Sequence, residues 1–131
     1  MRKLIYIFLT IVLVGAIFMM GTWLVTSAQM SALEEQDFQR IDLTTVPDGV
    51  YRGEATTLLI QVEVEVAVKN GRLETIELIR HRSGKGEAAE EITEYMVAQN
   101  SVDVEAVSGA SASSVVIQAA VMQALEAAVR P

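Results

Sequence analysis

The sequence predicts an α+β fold: a small antiparallel sheet with two packed helices, preceded by one N-terminal transmembrane helix. Three observations lead to this prediction. Residues 4–25 contain no charged side chain, residues 60–80 form two strand-like runs around an Asn-Gly turn, and residues 87–129 hold two segments with helical spacing. Strands followed by helices in one short chain favour an antiparallel sheet.

The N-terminal apolar run has 22 residues, enough to span a hydrocarbon core of roughly 30 Å at about 1.5 Å per residue. Arg2 and Lys3 precede it and acidic residues follow it. The positive-inside rule therefore predicts a single-pass protein of the cell membrane, with a cytoplasmic N-terminus and an extracytoplasmic domain. A cleaved signal peptide is the alternative, because small residues at 26–28 would permit cleavage after Ala28. The length of the run favours the uncleaved anchor.

The predicted extracytoplasmic part is strongly acidic. Without Arg2 and Lys3 the chain has 8 Lys and Arg residues against 17 Asp and Glu residues, a net charge of −9. A field of this sign repels nucleic acid, so nucleic-acid binding is excluded as a function. The chain has no cysteine, and therefore neither a disulfide nor a lipid-modified cysteine can hold or anchor it.

A cluster of breaker residues at 44–49 (TTVPDG) marks the predicted start of the folded domain. We therefore divide the chain into three parts. Residues 1–27 are a membrane anchor or signal peptide, residues 28–47 are a juxtamembrane spacer, and residues 48–131 are a small globular domain.

Three runs of residues predict the sheet. Residues 50–55 read as a short first strand, and residues 60–69 alternate apolar with polar side chains, as in a half-buried strand with an acidic outer face. Asn70-Gly71 suits a type I′ turn because both residues tolerate positive φ, and residues 72–80 return as the partner strand.

The simplest register across this turn is unsatisfactory. It sensibly pairs Val68 with Leu73 and Val62 with Ile79. However, it also sets Val64 opposite Glu77 and leaves Ile76 and Leu78 on the acidic face. Either a bulge near Thr75 or a second covered face of the sheet would resolve the conflict, and the sequence leaves both open.

Two helices are predicted to follow. Residues 87–100 have an inner stripe of Ala89, Ile92 and Met96, with Tyr95 at its edge. The glutamates of this segment have no histidine or cysteine among them, which favours a solvated face over a metal site. After a short extended segment at 102–104, the final helix spans residues 111–129, with this predicted inner face: Ile117, Val121, Ala124, Leu125 and Ala128.

Residues 81–86 (HRSGKG) are predicted to form a basic loop. Together with Arg80 they carry the only concentrated positive charge of an acidic domain. This charge is either a solvated strand end or a site that neutralises an anionic ligand. His81 is the only histidine, and the serines lack the flanks of a nucleophile elbow, so no hydrolytic site is predicted.

The segment most suggestive of function is residues 107–114 (VSGASASS), called the serine turn below. It places four hydroxyls and one glycine where the final helix begins. Backbone N–H groups at a helix start lack intrahelical partners and the helix dipole is positive there, so the position suits a phosphate or another anion. A plain structural alternative is that Ser108 or Ser111 caps the helix.

Residues 103–114 (DVEAVSGASASS) resemble the motif of the FMN-binding domain family: an aspartate, a short spacer, then Ser/Thr-Gly-Ala-Thr and further small hydroxyl residues. This domain occurs in the RnfG and NqrC subunits of membrane redox pumps and in small extracytoplasmic flavoproteins. Residues 48–55 and 62–80 also look like the family's opening strand and central hairpin. The resemblance covers roughly residues 48–129.

The resemblance implies FMN as cofactor. In many members an FMN transferase joins the FMN phosphate to the motif's last threonine, a position that Ser111 occupies here. The resemblance further implies a transferase-recognition role for Asp103, and His81 or Lys85 beside Arg80 could stabilise the negative charge of reduced flavin. The phosphate cradle would consist of Ser108, Gly109, Ala110, Ser113 and Ser114.

The expected function is that of a membrane-anchored extracytoplasmic protein that relays electrons through FMN. The resemblance implies a phosphoester link between this FMN and Ser111. It resembles a carrier more than a complete enzyme, because no substrate-specific acid or base is evident. The expected partners are an FMN transferase and a redox protein in or near the membrane. Two alternatives remain: a flavin-free interaction module of a membrane redox complex, and a small flavin-dependent reductase.

Overall fold

The computed structural model describes residues 2–34, 38, 41–83 and 87–130. Its regular elements begin with a long N-terminal helix, continue with three strands, and end with two helices. Short 3-10 helices at Leu43–Thr45 and Glu87–Glu91 precede β1 and α2. The bounds are α1 Arg2–Glu34, β1 Gly49–Thr56, β2 Gln61–Lys69, β3 Arg72–Arg82, α2 Ile92–Gln99 and α3 Ser111–Val129.

Two helices are long and apolar enough to cross a membrane, and burial separates them. Residues 3–25 of α1 have a mean hydropathy of 2.6 and are fully exposed, whereas the corresponding stretch of α3 is 67% buried inside the domain. The apolar side chains of α1 therefore have no protein core to cover them, and α3 is a core helix of the folded part. The α+β class with one N-terminal apolar helix is confirmed.

The sheet is antiparallel with strand order β1-β2-β3. Its inner face holds the alternating valines of β2, and Asn70 and Gly71 turn the chain with φ of 52° and 70°, as the type I′ prediction requires. β3 is longer than predicted, because His81 pairs with Val62 and Arg82 with Gln61. The first two residues of the predicted basic loop therefore belong to a strand.

Two bulges set the register of β2 and β3. One lies between Ala67 and Val68, where Glu74 has no partner, and it confirms a bulge near Thr75. The first bulge brings Ile76 and Leu78 opposite the inner-face residues Val66 and Val64. The second leaves Ile79 without a partner and exposed, and it brings His81 opposite Val62. The predicted pairing of Val62 with Ile79 is therefore wrong.

The helix α3 lies across the inner face and is more deeply buried than the predicted single face implies. Gly53 of β1 permits the close approach, because a β-carbon there would overlap the carbonyl oxygen of Ala120 and lie 2.6 Å from the nitrogen of Ala124. Side chains beyond the predicted face are also buried: Ser113, Ser114, Val115, Val116, Gln118, Ala119, Ala120 and Met122.

The helix α2 packs beside β3. Ala89, Ile92 and Met96 are completely buried, which confirms the predicted inner stripe, although residues 87–91 are 3-10 rather than α-helical. Asn100 ends α2 in the left-handed conformation, with φ of 52°. Its Oδ1 accepts from the backbone N–H of Leu73 at 2.8 Å and so joins the end of α2 to β3.

The packed core extends back into the spacer segment. Leu43 and Val46 are buried against the core cluster. Asp42 caps the 3-10 helix at Leu43–Thr45, and the hydroxyl and backbone N–H of Thr44 donate to its carboxylate and lower the pKa of that carboxyl group. This cap is complete above the ordinary carboxyl pKa and weakens as the pH falls through the lowered pKa.

Candidate cofactor site

The serine turn is a tight turn that leads into α3. The N–H of Ala110 donates to the carbonyl of Val107 at 3.0 Å, with Ser108 and Gly109 at the tip. Gly109 has φ of 81°, a value that the third residue of a type II turn needs and that glycine adopts without strain. A β-carbon at Gly109 would meet no atom within 4 Å, so the space in front of the turn is open.

The start of α3 carries no side-chain cap. Ala110 occupies the N-cap position, and its carbonyl accepts the first helical bond from the N–H of Ser114 at 3.0 Å. The N–H groups of Ser111, Ala112 and Ser113, the first three residues of α3, have no acceptor among the described residues. The structural alternative, in which Ser108 or Ser111 caps the helix, is therefore wrong, and the free N–H groups fit a phosphate.

The four serines of the turn divide into two exposed and two buried residues. Ser108 and Ser111 are exposed, and within the described ranges neither hydroxyl has a hydrogen-bond partner. Ser113 and Ser114 are buried. The Ser114 hydroxyl donates to the carbonyl of Ala110 and accepts from the N–H of Val107, both at 3.0 Å. Ser114 thus locks the turn from inside, and Ser111 presents a free hydroxyl outside.

We expect Ser114→Ala to lower the free energy of unfolding by about 1–3 kcal/mol, because the half-buried N–H of Val107 loses its acceptor. Ser113→Ala is the matched control: the same atom is removed from the next residue of the same helix, and no described hydrogen bond is lost. Urea unfolding of the two flavin-free variants measures the difference. Equal stability of the two variants would contradict the locking role.

The chain before the turn is held by α3 itself. The side-chain Nε2 of Gln118 donates to the carbonyls of Val102 and Val104 at 3.0 and 2.8 Å. Between them, the N–H of Asp103 donates to the hydroxyl of Ser101 at 3.1 Å, and Asp103 lies exposed. The predicted recognition residue is therefore displayed on a fixed surface segment that leads to Ser111.

The predicted basic residues that the structure describes do not form one exposed cluster. The His81 side chain is only 3% exposed, and its Nδ1 lies 3.0 Å from Oε1 of Glu90. Its buried Nε2 has no hydrogen-bond partner among the described residues. Arg80 lies opposite Glu63 in the strand register, on the outer face of the sheet, and Lys85 lies outside the described residues. His81 is on the inner face because β3 continues through its position.

An open groove lies beside the serine turn, with a volume of about 490 Å³. Tyr95 and Gln99 of α2 form one wall and residues 105–108 form the other; we call it the α2 groove. In the sequence, Tyr95 lies only at the edge of the predicted inner stripe, and neither Gln99 nor Glu105 stands out. The available signal was the four-residue spacing of Tyr95 and Gln99, which puts both on one helix face.

Among the described residues no group of three acidic, histidine or cysteine side chains could hold a metal ion.

These features define a small α+β domain whose central helix begins with free N–H groups that would suit an anion, next to an open groove, as in a cofactor-binding domain. The model of the FMN-binding domain family matches residues 60–126, half of the chain. The chain belongs to this family, and its cofactor is FMN. Comparison with curated proteins gives no match, and comparison with solved structures gives none either.

Proposed function

We infer that this protein is a membrane-anchored, extracytoplasmic electron carrier whose FMN is phosphoester-linked to Ser111. One observation carries the linkage: Ser111 is the first residue of α3, its hydroxyl is exposed, and unpartnered N–H groups lie on the same helical turn. A phosphate held there would gain charge-assisted hydrogen bonds from the backbone and a favourable dipole. The site fits the group that the family binds.

The proposed roles of the neighbouring residues follow from their burial. Ser108, Gly109 and Ala110 form the turn over which the phosphate would lie, and Ser113 contributes its backbone N–H. Ser114 contributes by fixing the turn. An FMN transferase would recognise the exposed Asp103 and move the FMN phosphoryl group from a phosphoanhydride donor to Ser111. The bond from the Ser111 oxygen to phosphorus would form, the anhydride bond would break to release the rest of the donor, and the hydroxyl proton would pass to solvent.

The membrane part of the proposal rests on α1. The apolar run at residues 4–25 is exposed along its whole length, and no part of it is buried by the domain. In a bilayer these side chains would face lipid instead of water. Arg2 and Lys3 at its start favour a cytoplasmic N-terminus and therefore an extracytoplasmic flavin. A redox partner in or near the membrane would then exchange electrons with the flavin, which supplies the redox chemistry when bound.

We expect the full-length chain, co-expressed with an FMN transferase, to keep flavin fluorescence after denaturing electrophoresis. Ser111→Ala removes the acceptor oxygen, so this variant should lose the fluorescent band completely. Ser111→Thr preserves the hydroxyl and should retain it. A fluorescent band that persists in Ser111→Ala would show that Ser111 is not the attachment site.

Thr75→Ala is the control for loss of an exposed hydroxyl outside the serine turn. It removes a hydroxyl of β3 that has no described hydrogen bond, and it leaves the serine turn and the acceptor intact. We expect this variant to retain covalent flavin. Rapid turnover of a small acceptor by the purified wild-type chain, with no partner protein present, would instead favour the reductase alternative over the carrier.

A further inference from the structure

The α2 groove continues directly from the serine turn. Val107 and Ser108 belong to both, so a phosphate bound at the turn leaves the rest of FMN beside the groove. The volume of about 490 Å³ lies within the roughly 300–1,000 Å³ of small-molecule sites. The geometry points to the α2 groove as the seat of the isoalloxazine ring, with Tyr95 against the ring and Glu105 at its border. This inference rests on the proposed phosphate position.

Tyr95 provides an aromatic surface at this position. Tyr95 is 44% exposed whereas Met96, the next residue, is completely buried, so Tyr95 lies on the outer side of α2. Its hydroxyl lies 3.4 Å from Oε2 of Glu91, one turn earlier, so the side chain is directed along α2. Offset stacking of a flat ring on such a side chain contributes about 0.5–1.5 kcal/mol beyond the area buried.

The charge around the groove is negative. Glu105 is the charged residue that lines it, and Glu91 contacts Tyr95, whereas no described lysine or arginine lines the groove. A carboxylate beside the ring disfavours the additional negative charge of reduced flavin and thereby lowers its midpoint potential. The ring therefore meets acidic groups in this groove, in contrast to the basic groups at 80–85 that the sequence suggested.

Flavin fluorescence tests the position of Tyr95, because a tyrosine in contact with the ring quenches emission by electron donation to the excited ring. In Tyr95→Phe the helix and the aromatic packing are preserved, and we expect the bound flavin to be several-fold brighter at unchanged FMN content. Tyr51→Phe is the matched control, since Tyr51 lies on β1 with its hydroxyl on the carbonyl of Pro47. It should leave the emission unchanged.

The midpoint potential tests the position of Glu105. In a spectroelectrochemical titration of the full-length protein in detergent, the electrode supplies the electrons and the solvent the protons. We expect Glu105→Gln to shift the midpoint potential of bound FMN to a more positive value. Glu54→Gln removes the same charge from β1, at the other edge of the sheet from β3 and α2, and should leave the potential unchanged.

If the flavin emission of Tyr95→Phe and the midpoint potential of Glu105→Gln both equal those of wild type, the ring does not lie in the α2 groove. Both measurements are made equally well on FMN that is bound without a covalent bond. A failed phosphoester at Ser111 and a failed ring position are therefore distinguishable: the first is decided by electrophoresis of the denatured chain and the second by the folded protein. A wild-type chain that takes up no FMN would contradict both proposals.

Discussion

Gly53→Ala should destabilise the domain by about 3–5 kcal/mol, because the added β-carbon overlaps the backbone of α3. The carbonyl of Ala120 and the nitrogen of Ala124 are the atoms in the way, and backbone cannot rotate aside as the end of a long side chain can. Either α3 must move off β1 or β1 must bend. A domain of this size has a total stability of roughly 5–15 kcal/mol, so much of it would be lost.

The measurement is urea unfolding of the full-length chain in detergent, followed by far-UV circular dichroism, with α1 as a constant background. Gly49→Ala is the matched control on the same strand. A β-carbon there meets the Tyr51 side chain, whose nearest atom is 3.0 Å away and can shift. We expect Gly49→Ala to lower the free energy of unfolding by less than about 1 kcal/mol. Equal stability of the two variants would show that the contact between β1 and α3 is looser than described.

Gln118→Met should lower the free energy of unfolding by about 2–4 kcal/mol, because two carbonyls lose their shared donor. The side chain is only 3% exposed, so water cannot replace the amide without opening the contact. Methionine matches its length and shape, which leaves the hydrogen bonds as the main change. The segment at 101–110 should then exchange its amide protons faster than in wild type, which hydrogen exchange measures.

Gln123→Met is the control on the same helix. Gln123 also bonds to the backbone, accepting from the N–H of Glu54 at 2.6 Å, but it is exposed and water can take its place. We expect a loss below about 1 kcal/mol. If the two substitutions lower the free energy of unfolding by the same amount, the burial of the Gln118 hydrogen bonds is not what holds the segment at 101–110.

The sequence predicted the sheet well because its signals are local. The period of two in β2 and the Asn-Gly turn define a hairpin without reference to the rest of the chain. The two bulges are different, since their positions depend on which side chains α3 and α2 cover. That dependence explains the fate of His81: the bulges bring its position to the inner face opposite Val62, where a loop had been predicted.

The site was predicted at the level of the cofactor but not of each residue. FMN follows from the motif, and the family match confirms it. The difference between the exposed Ser111 and the buried Ser114 follows from helix phase: Ser114 precedes Ile117 by three residues and shares its buried face. The α2 groove was not predicted, because it forms between segments that meet only after folding. The roles of the individual residues remain predictions.

The packing of Phe38 against the core cluster has a consequence for where the flavin can travel. Four residue steps lead from Glu34, the last residue of α1, to Phe38. Even fully extended, four steps span only about 14 Å. With α1 in a bilayer, the domain would stay beside the end of its anchor, in a thin layer at the membrane surface. Its encounters with a membrane-bound partner would then depend on lateral diffusion in the membrane, and soluble partners would have to come to that layer.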